Sequence, residues 1–327
     1  MPTAENAKLE YEGGQNSTAM AALTDSGDST TFTSGATLWS RRSGNAPVIR
    51  PNGLLTGGAI TVAANGGDDD VDVAALTCNL NGVVTSVSSA ADVQITRPAT
   101  AVAKVNSITV NAAGSVVVVA GADGSDSTFS ETRGADGGPP FIPVDSIEIG
   151  QVRVTSDTSA AIVASEIFTV PGLHVEQAIN PGFTINYNGG SVSFLAALPA
   201  VHTGGVAKKV YASYASPIFA EVSLATDFVP AETSHTTNSQ QIYGRVLGSS
   251  TATLNAGSFT AYLEDGVADP LVTLKNEQLW FRFYPDRFAS PYVLVQGKLG
   301  VARSFPADDN ITAECTISAE SDSVEVA

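Results

Sequence analysis

Short runs of Val, Ile and Thr, broken by Gly, Asn, Asp and Pro, recur along the whole chain. Ala59–Ala63 stops at Asn65-Gly66-Gly67, Ser107–Asn111 at Ala112-Ala113-Gly114, and Ser115–Ala120 at Gly121; Ser146–Thr155 and Ser191–Leu195 continue the pattern. Runs of this length between such breakers predict β-strands joined by tight turns. Two hairpins follow, one within Thr109–Val118 and one within Phe183–Phe194 that turns at Asn188-Gly189-Gly190. No stretch of about 15 residues keeps apolar positions at helical spacing. The chain is therefore expected to be all-β.

The last sixty residues carry the most regular pattern. Ile311, Ala313, Cys315, Ile317 and Ala319 alternate with Thr312, Glu314, Thr316, Ser318 and Glu320. A period of two places one side of a strand in a core and the other in water. Leu279–Tyr284 and Tyr292–Val301 predict two further strands around the Pro285–Pro291 turn region, so the three read as an antiparallel meander.

Ring-bearing side chains split the chain in two. Residues 1–165 hold only Tyr11, Phe32, Trp39, Phe129 and Phe141, and all other aromatics follow. An aliphatic core and an aromatic core explain this better than one core. The expected organisation is an extended arm or first strands over 1–50, a β-sandwich over 51–165 and a second β-domain over 166–327. Cys78 and Cys315 fall in different domains on this reading and are expected as separate reduced thiols.

Charge narrows the function. Asp and Glu number 33 against 16 Lys and Arg, a net charge of −17, which argues against a protein that grips phosphates through released counterions. The longest apolar stretches are far below the ~18 residues of a membrane span, and no basic segment followed by an apolar one opens the chain. We expect a soluble product of a cytoplasm with no membrane partner. His174, His202 and His235 are scattered without metal-ligand spacing, and no nucleophile elbow, P-loop, dinucleotide fingerprint or zinc-protease motif is present. No catalytic residue, cofactor or metal site is expected. The Asp68–Asp70 cluster with Asp72, and the Asp123–Asp126 turn, offer the hard oxygen ligands of a Ca²⁺ loop, but neither has the EF-hand pattern, and Asp at turns satisfies nearby backbone N–H groups.

From about Ile218 onward the order of features resembles the tail tube protein of long, non-contractile-tailed bacteriophages. A strand at Phe219–Leu224 leads into a polar loop, Val229–Gln240, and a second strand, Ile242–Leu247. Ser258–Leu263 ends in Glu264-Asp265-Gly266, and the Gly-bearing run Gln296-Gly297-Lys298-Leu299 precedes the closing alternating strand. The resemblance covers about a third of the chain. It departs at Gly266–Gln278, where the family has a helix and Pro270 leaves room for at most about two turns.

The resemblance implies a tail-tube-type β-barrel or sandwich domain, with an added N-terminal β-sandwich of immunoglobulin-like type decorating the outside. It implies a virion protein of the phage tail, assembled in the host cytoplasm as hexameric rings that stack into a hollow tube. Its partners would be further copies of itself, the tape measure protein and the tail terminator, with genomic DNA passing through unbound. Thr312, Glu314, Thr316 and Glu320 are the candidate lumen-facing residues, since carboxylates repel passing phosphates. An ordinary solvent-facing strand side accounts for them equally well. The alternative function is a capsid decoration protein or a surface adhesin, a binding module of discrete oligomeric state.

Overall fold

The computed structural model describes residues 4–327, of which half lie in strands and 3% in helix. Among the described residues the chain is nearly all-β, and none of its several sheets closes into a barrel. Contacts divide it into two compact units, Met1–Thr18 with Leu38–Ala46 and Tyr214–Ala327, and Ala19–Thr37 with Pro47–Ser213. Each unit is assembled from segments that are discontinuous in the sequence.

In the first unit, the sheet runs in the order Ala225–Val229, Gly257–Tyr262, Thr312–Ala319, Tyr292–Ser304, Gln278–Tyr284, then Lys8–Ala22 as far as Thr18 and Val210–Glu221 from Tyr214 onward. The C-terminal meander is present, with Phe281 opposite Val295 and Leu299 opposite Ile317 in antiparallel register. The polar N-terminal segment contributes the 15-residue strand Lys8–Ala22, whose Tyr11 pairs with Phe281. One face of the sheet is a core that includes Tyr11, Phe259, Phe281, Leu299 and Ile317. Rings pack against rings there, Phe228 stacking on Phe283 with centroids 4.6 Å apart. Gly266–Gln278 holds a single helical turn, Pro270–Thr273, as the proline at its start allows.

The other face of this sheet is partly covered by Leu38–Ala46. Trp39, fully buried, stacks on Tyr214 at 4.9 Å, and its carbonyl accepts a bond from the Trp280 indole N–H at 2.9 Å. Glu12 lies beneath it with no solvent exposure. Its carboxylate accepts bonds from the Ser40 hydroxyl, the Gln15 amide at 2.9 Å and the Trp280 backbone N–H at 3.2 Å. Those donors offset a burial cost that still pushes the Glu12 carboxyl above its ordinary range.

The second unit has small sheets, most of them around a core cluster of Val, Ile, Leu and Cys78, while Phe32, Phe183 and Phe194 pack edge to face in a separate sheet. One sheet runs Val116–Ala120, Lys104–Val110, Ile147–Val154, Ile167–Phe168; another runs Gly53–Gly57, Leu76–Leu80, Val83–Val87. Both expected hairpins are present, with Val110 opposite Val116 and Asn186 opposite Ser191. The second closes on Gly190, whose φ of +54° and 1.8 Å approach of a notional Cβ to the Ala36 carbonyl exclude a side chain. Cys78 and Cys315 are both buried free thiols, one in each unit.

Every residue of Ile147–Val154 is buried, although three of them are Glu148, Gln151 and Arg153. The register against Lys104–Val110 slips between Ile108 and Thr109, which leaves one extra residue on the Ile147–Val154 strand. Such a bulge reverses the parity of the side chains beyond it. Ile147 and Ile149 before the slip, and Val152 and Val154 after it, all enter the core. Glu148, Gln151 and Arg153 are left together on the opposite side.

Candidate functional site

Three features carry chemistry or contact. The first is the outer face of Thr312–Ala319. Ala313, Cys315 and Ile317 are buried in the core, so Glu314, Thr316 and Ser318 point outward and Thr312 is half-buried beside them. Their cross-strand neighbours are Ser258 and Thr260 on one side and Lys298, Gly300 and Ala302 on the other. Among the described residues Glu314 meets no cation. Glu320 lies beyond the strand end, and its carboxylate holds the Arg41 guanidinium at 2.6 Å. The structure thus brings Thr312, Glu314 and Thr316 onto one surface, while the charge of Glu320 is already answered.

The second feature corrects the reading of Val229–Gln240 as a loop and Ile242–Leu247 as a strand. Thr233–Ile242 and Arg245–Leu254 form one hairpin of ten residues per strand, paired from Thr233–Leu254 to Ile242–Arg245 and turning at Tyr243-Gly244. The first strand is a Thr/Ser/Asn/Gln run without alternation, so hydrophobic periodicity gave no signal. Both faces are exposed along nearly its whole length, and the tip presents Tyr243, fully exposed, with Val246 and Leu247. His235 and Arg245 are its only basic or imidazole side chains, and it carries no carboxylate.

The third feature, absent from the sequence reading, is a cavity of about 430 Å³ in the second unit. Its floor is the polar side of Ile147–Val154. The Glu148 carboxylate, 1% exposed, accepts bonds from Arg133 at 2.5 Å, Ser107 at 2.5 Å and Gln151 at 3.1 Å. The Gln151 carbonyl oxygen accepts in turn from the Arg153 Nε at 3.3 Å and Nη2 at 3.0 Å. Both oxygens of Glu131 sit on the Arg153 fork, at 2.5 and 2.9 Å. Glu176 accepts the Glu148 backbone N–H at 2.9 Å. Lys208, 3% exposed, donates to the carbonyls of Gln177 at 2.5 Å and Asn180 at 3.2 Å.

Burial displaces the titrations of this cluster towards neutrality. It pushes the Glu176 carboxyl up to about 7 and the Lys208 ammonium down to about 8, and raises Glu148 as well. His174 is lowered by burial and then by the Arg153 charge. Its Nε2 lies 3.3 Å from Arg153 Nη2 and its Nδ1 accepts the Val170 N–H at 3.3 Å, so the ring stands between two donors that disfavour the imidazolium. The members come from separate loops and strands with no fixed spacing. The only trace in the sequence is the row of polar residues inside the apolar Ser146–Thr155 run.

The acidic turns do local work. Asp69 holds Arg97 at 2.5 Å and Ser159, and Asp72 accepts the backbone N–H groups of Ala64 and Asp92. Asp123 accepts from Lys104 at 2.6 Å and from the Ala99 N–H. Compared with known protein families and with curated proteins, the chain matches none.

Proposed function

We propose that the chain is a self-assembling structural subunit of a bacteriophage tail, a tail tube protein with an added β-domain. The observation that carries this reading is the Thr233–Leu254 hairpin. A two-stranded ribbon exposed on both faces is marginally stable alone in water, and both its edges offer unpaired backbone groups. Such an arm gains most by packing on a neighbouring protein. With no carboxylate of its own on a chain of net charge −17, it suits the acidic surface of another copy. The exposed face carrying Thr312, Glu314 and Thr316, with Ser258 and Thr260 beside them, agrees with a surface past which DNA slides without adhering.

On this reading the first unit is the tail-tube-type domain and the second an immunoglobulin-like sandwich on the outside. Copies form hexameric rings that stack, with the tape measure protein, the tail terminator and transiting DNA as the implied partners. Negative-stain electron microscopy over a concentration series tests it, using the full chain and a variant with residues 234–253 replaced by a short Gly-Ser turn. Hollow rings or tubes that vanish in the variant while its melting temperature holds are expected. A uniform monomer or compact trimer at every concentration would instead favour a decoration or adhesin role, for which the cavity of the second unit is suited.

A further inference from the structure

We propose that the cavity of the second unit binds a ligand bearing a carboxylate on an apolar body, which takes the place of Glu131 on the Arg153 guanidinium. This inference is independent of the assembly role. Arg153 is 6% exposed, yet its counter-ion Glu131 is 69% exposed and stands on the Ala122–Phe141 segment, which forms no strand or helix. The contrast with the neighbouring pair is the key. Glu148, 1% exposed, is held by three donors, whereas Glu131 is held by Arg153 alone and is otherwise open to water.

The guanidinium stays shaped for a carboxylate when Glu131 leaves. The Phe168 ring lies 4.6 Å from its centre and the Gln151 oxygen fixes two of its nitrogens. A planar fork held in this way recognises a carboxylate bidentately at little ordering cost. His174, in contact with Arg153, supplies no negative charge, so a bare Arg153 is strongly anion-seeking. Part of the cavity wall is apolar, with Leu173 63% exposed and Pro181, Pro199, Ala196 and Ala197, while Glu176, Asn180 and Lys208 line another part. The apolar part adds nothing for a bare anion such as acetate and rewards a carboxylate with a hydrocarbon portion. The volume suits a molecule of about dipeptide size.

The test is calorimetric titration of the full chain and of Glu131→Gln with N-acetyl-leucine, its uncharged analogue N-acetyl-leucinamide, and acetate. Glu131→Gln removes the internal competitor, so N-acetyl-leucine is expected to bind it at least ~10-fold more tightly than the unchanged protein, because a tethered carboxylate competes at millimolar or higher effective concentration. The amide and acetate are expected to bind at least ~10-fold more weakly than N-acetyl-leucine, a factor worth about 1.4 kcal/mol. N-acetyl-glutamate α-amide, compared with N-acetyl-leucine, distinguishes a side-chain carboxylate from a chain terminus. Arg153→Lys, which keeps the charge and loses the fork, is expected to abolish binding. Should that variant not fold, the acid–amide pair on Glu131→Gln decides alone. Equal affinity of acid and amide, no gain in Glu131→Gln, or no binding of either acid at millimolar concentration would overturn the proposal.

Discussion

Replacing Arg133 by Met separates the contribution of the buried Glu148–Arg133 pair from that of its surroundings. Glu148 is 1% exposed and Arg133, at 2.5 Å, is the cation that touches it; Ser107 and Gln151 complete its shell. With the guanidinium gone, a buried carboxylate without a countercharge remains, a change that costs about 3–5 kcal/mol. Protonation limits the loss. Holding a carboxyl of ordinary pKa, about 4.3, in its neutral form costs about 4 kcal/mol at pH 7 and about 1 kcal/mol at pH 5. Loss of the Arg133 bond to the Pro140 carbonyl, 2.6 Å long, adds about 1 kcal/mol at either pH. Urea unfolding should therefore find Arg133→Met less stable by about 4–5 kcal/mol at pH 7 and by about 2 kcal/mol at pH 5. The double variant Arg133→Met/Glu148→Gln removes both charges and should recover to within about 1–2 kcal/mol of the parent at both pH values. A single variant with the same loss at both pH values, or a double variant no better than the single, would refute the reasoning.

Other perturbations are equally specific. Glu176, raised to about 7 from 4.5, contributes stability that is fully present below pH 4.5 and lost as pH rises through 7, about 3 kcal/mol in all. The stability of the parent minus that of Glu176→Gln, from unfolding curves at pH 5 and pH 8, should fall by an amount of that order. Gly190→Ala forces a Cβ into the Ala36 carbonyl at a positive φ and should cost about 2–4 kcal/mol by chemical denaturation. Burial pushes the Cys315 thiol up to about 12 and raises Cys78 too, so neither should react with a thiol reagent near neutral pH until the protein unfolds. Truncation before Thr312 removes Ala313, Cys315 and Ile317 from the core, so it should unfold the first unit, as lost near-ultraviolet dichroism would report.

Period-two alternation at Ile311–Glu320, the Asn188-Gly189-Gly190 turn and the Gly/Asn punctuation between Val-rich runs are local signals, and they sufficed for an all-β chain and for several strand positions. Alternation works because a strand's side chains must point to opposite faces, so burial of one face writes itself into consecutive residues. The Thr233–Leu254 hairpin escaped because neither of its faces is buried, which leaves no hydrophobic pattern to read. Lys8–Ala22 escaped for a related reason: buried Tyr11 and buried Glu12 occupy adjacent positions, so its sides do not sort by polarity.

The cavity of the second unit was decided by tertiary structure alone. A one-residue bulge turned Glu148, Gln151 and Arg153 to the same side of one strand, and distant loops brought Arg133, His174 and Glu176 to meet them. Parity along a sequence is blind to such a slip, because the extra residue is defined only by the partner strand opposite it. Charge pairing is blind to it as well, since which cation answers which carboxylate depends on where chains separated by tens of residues are packed. Composition and periodicity determined what kind of protein this chain builds; the packing of its strands decided where its buried charges converge.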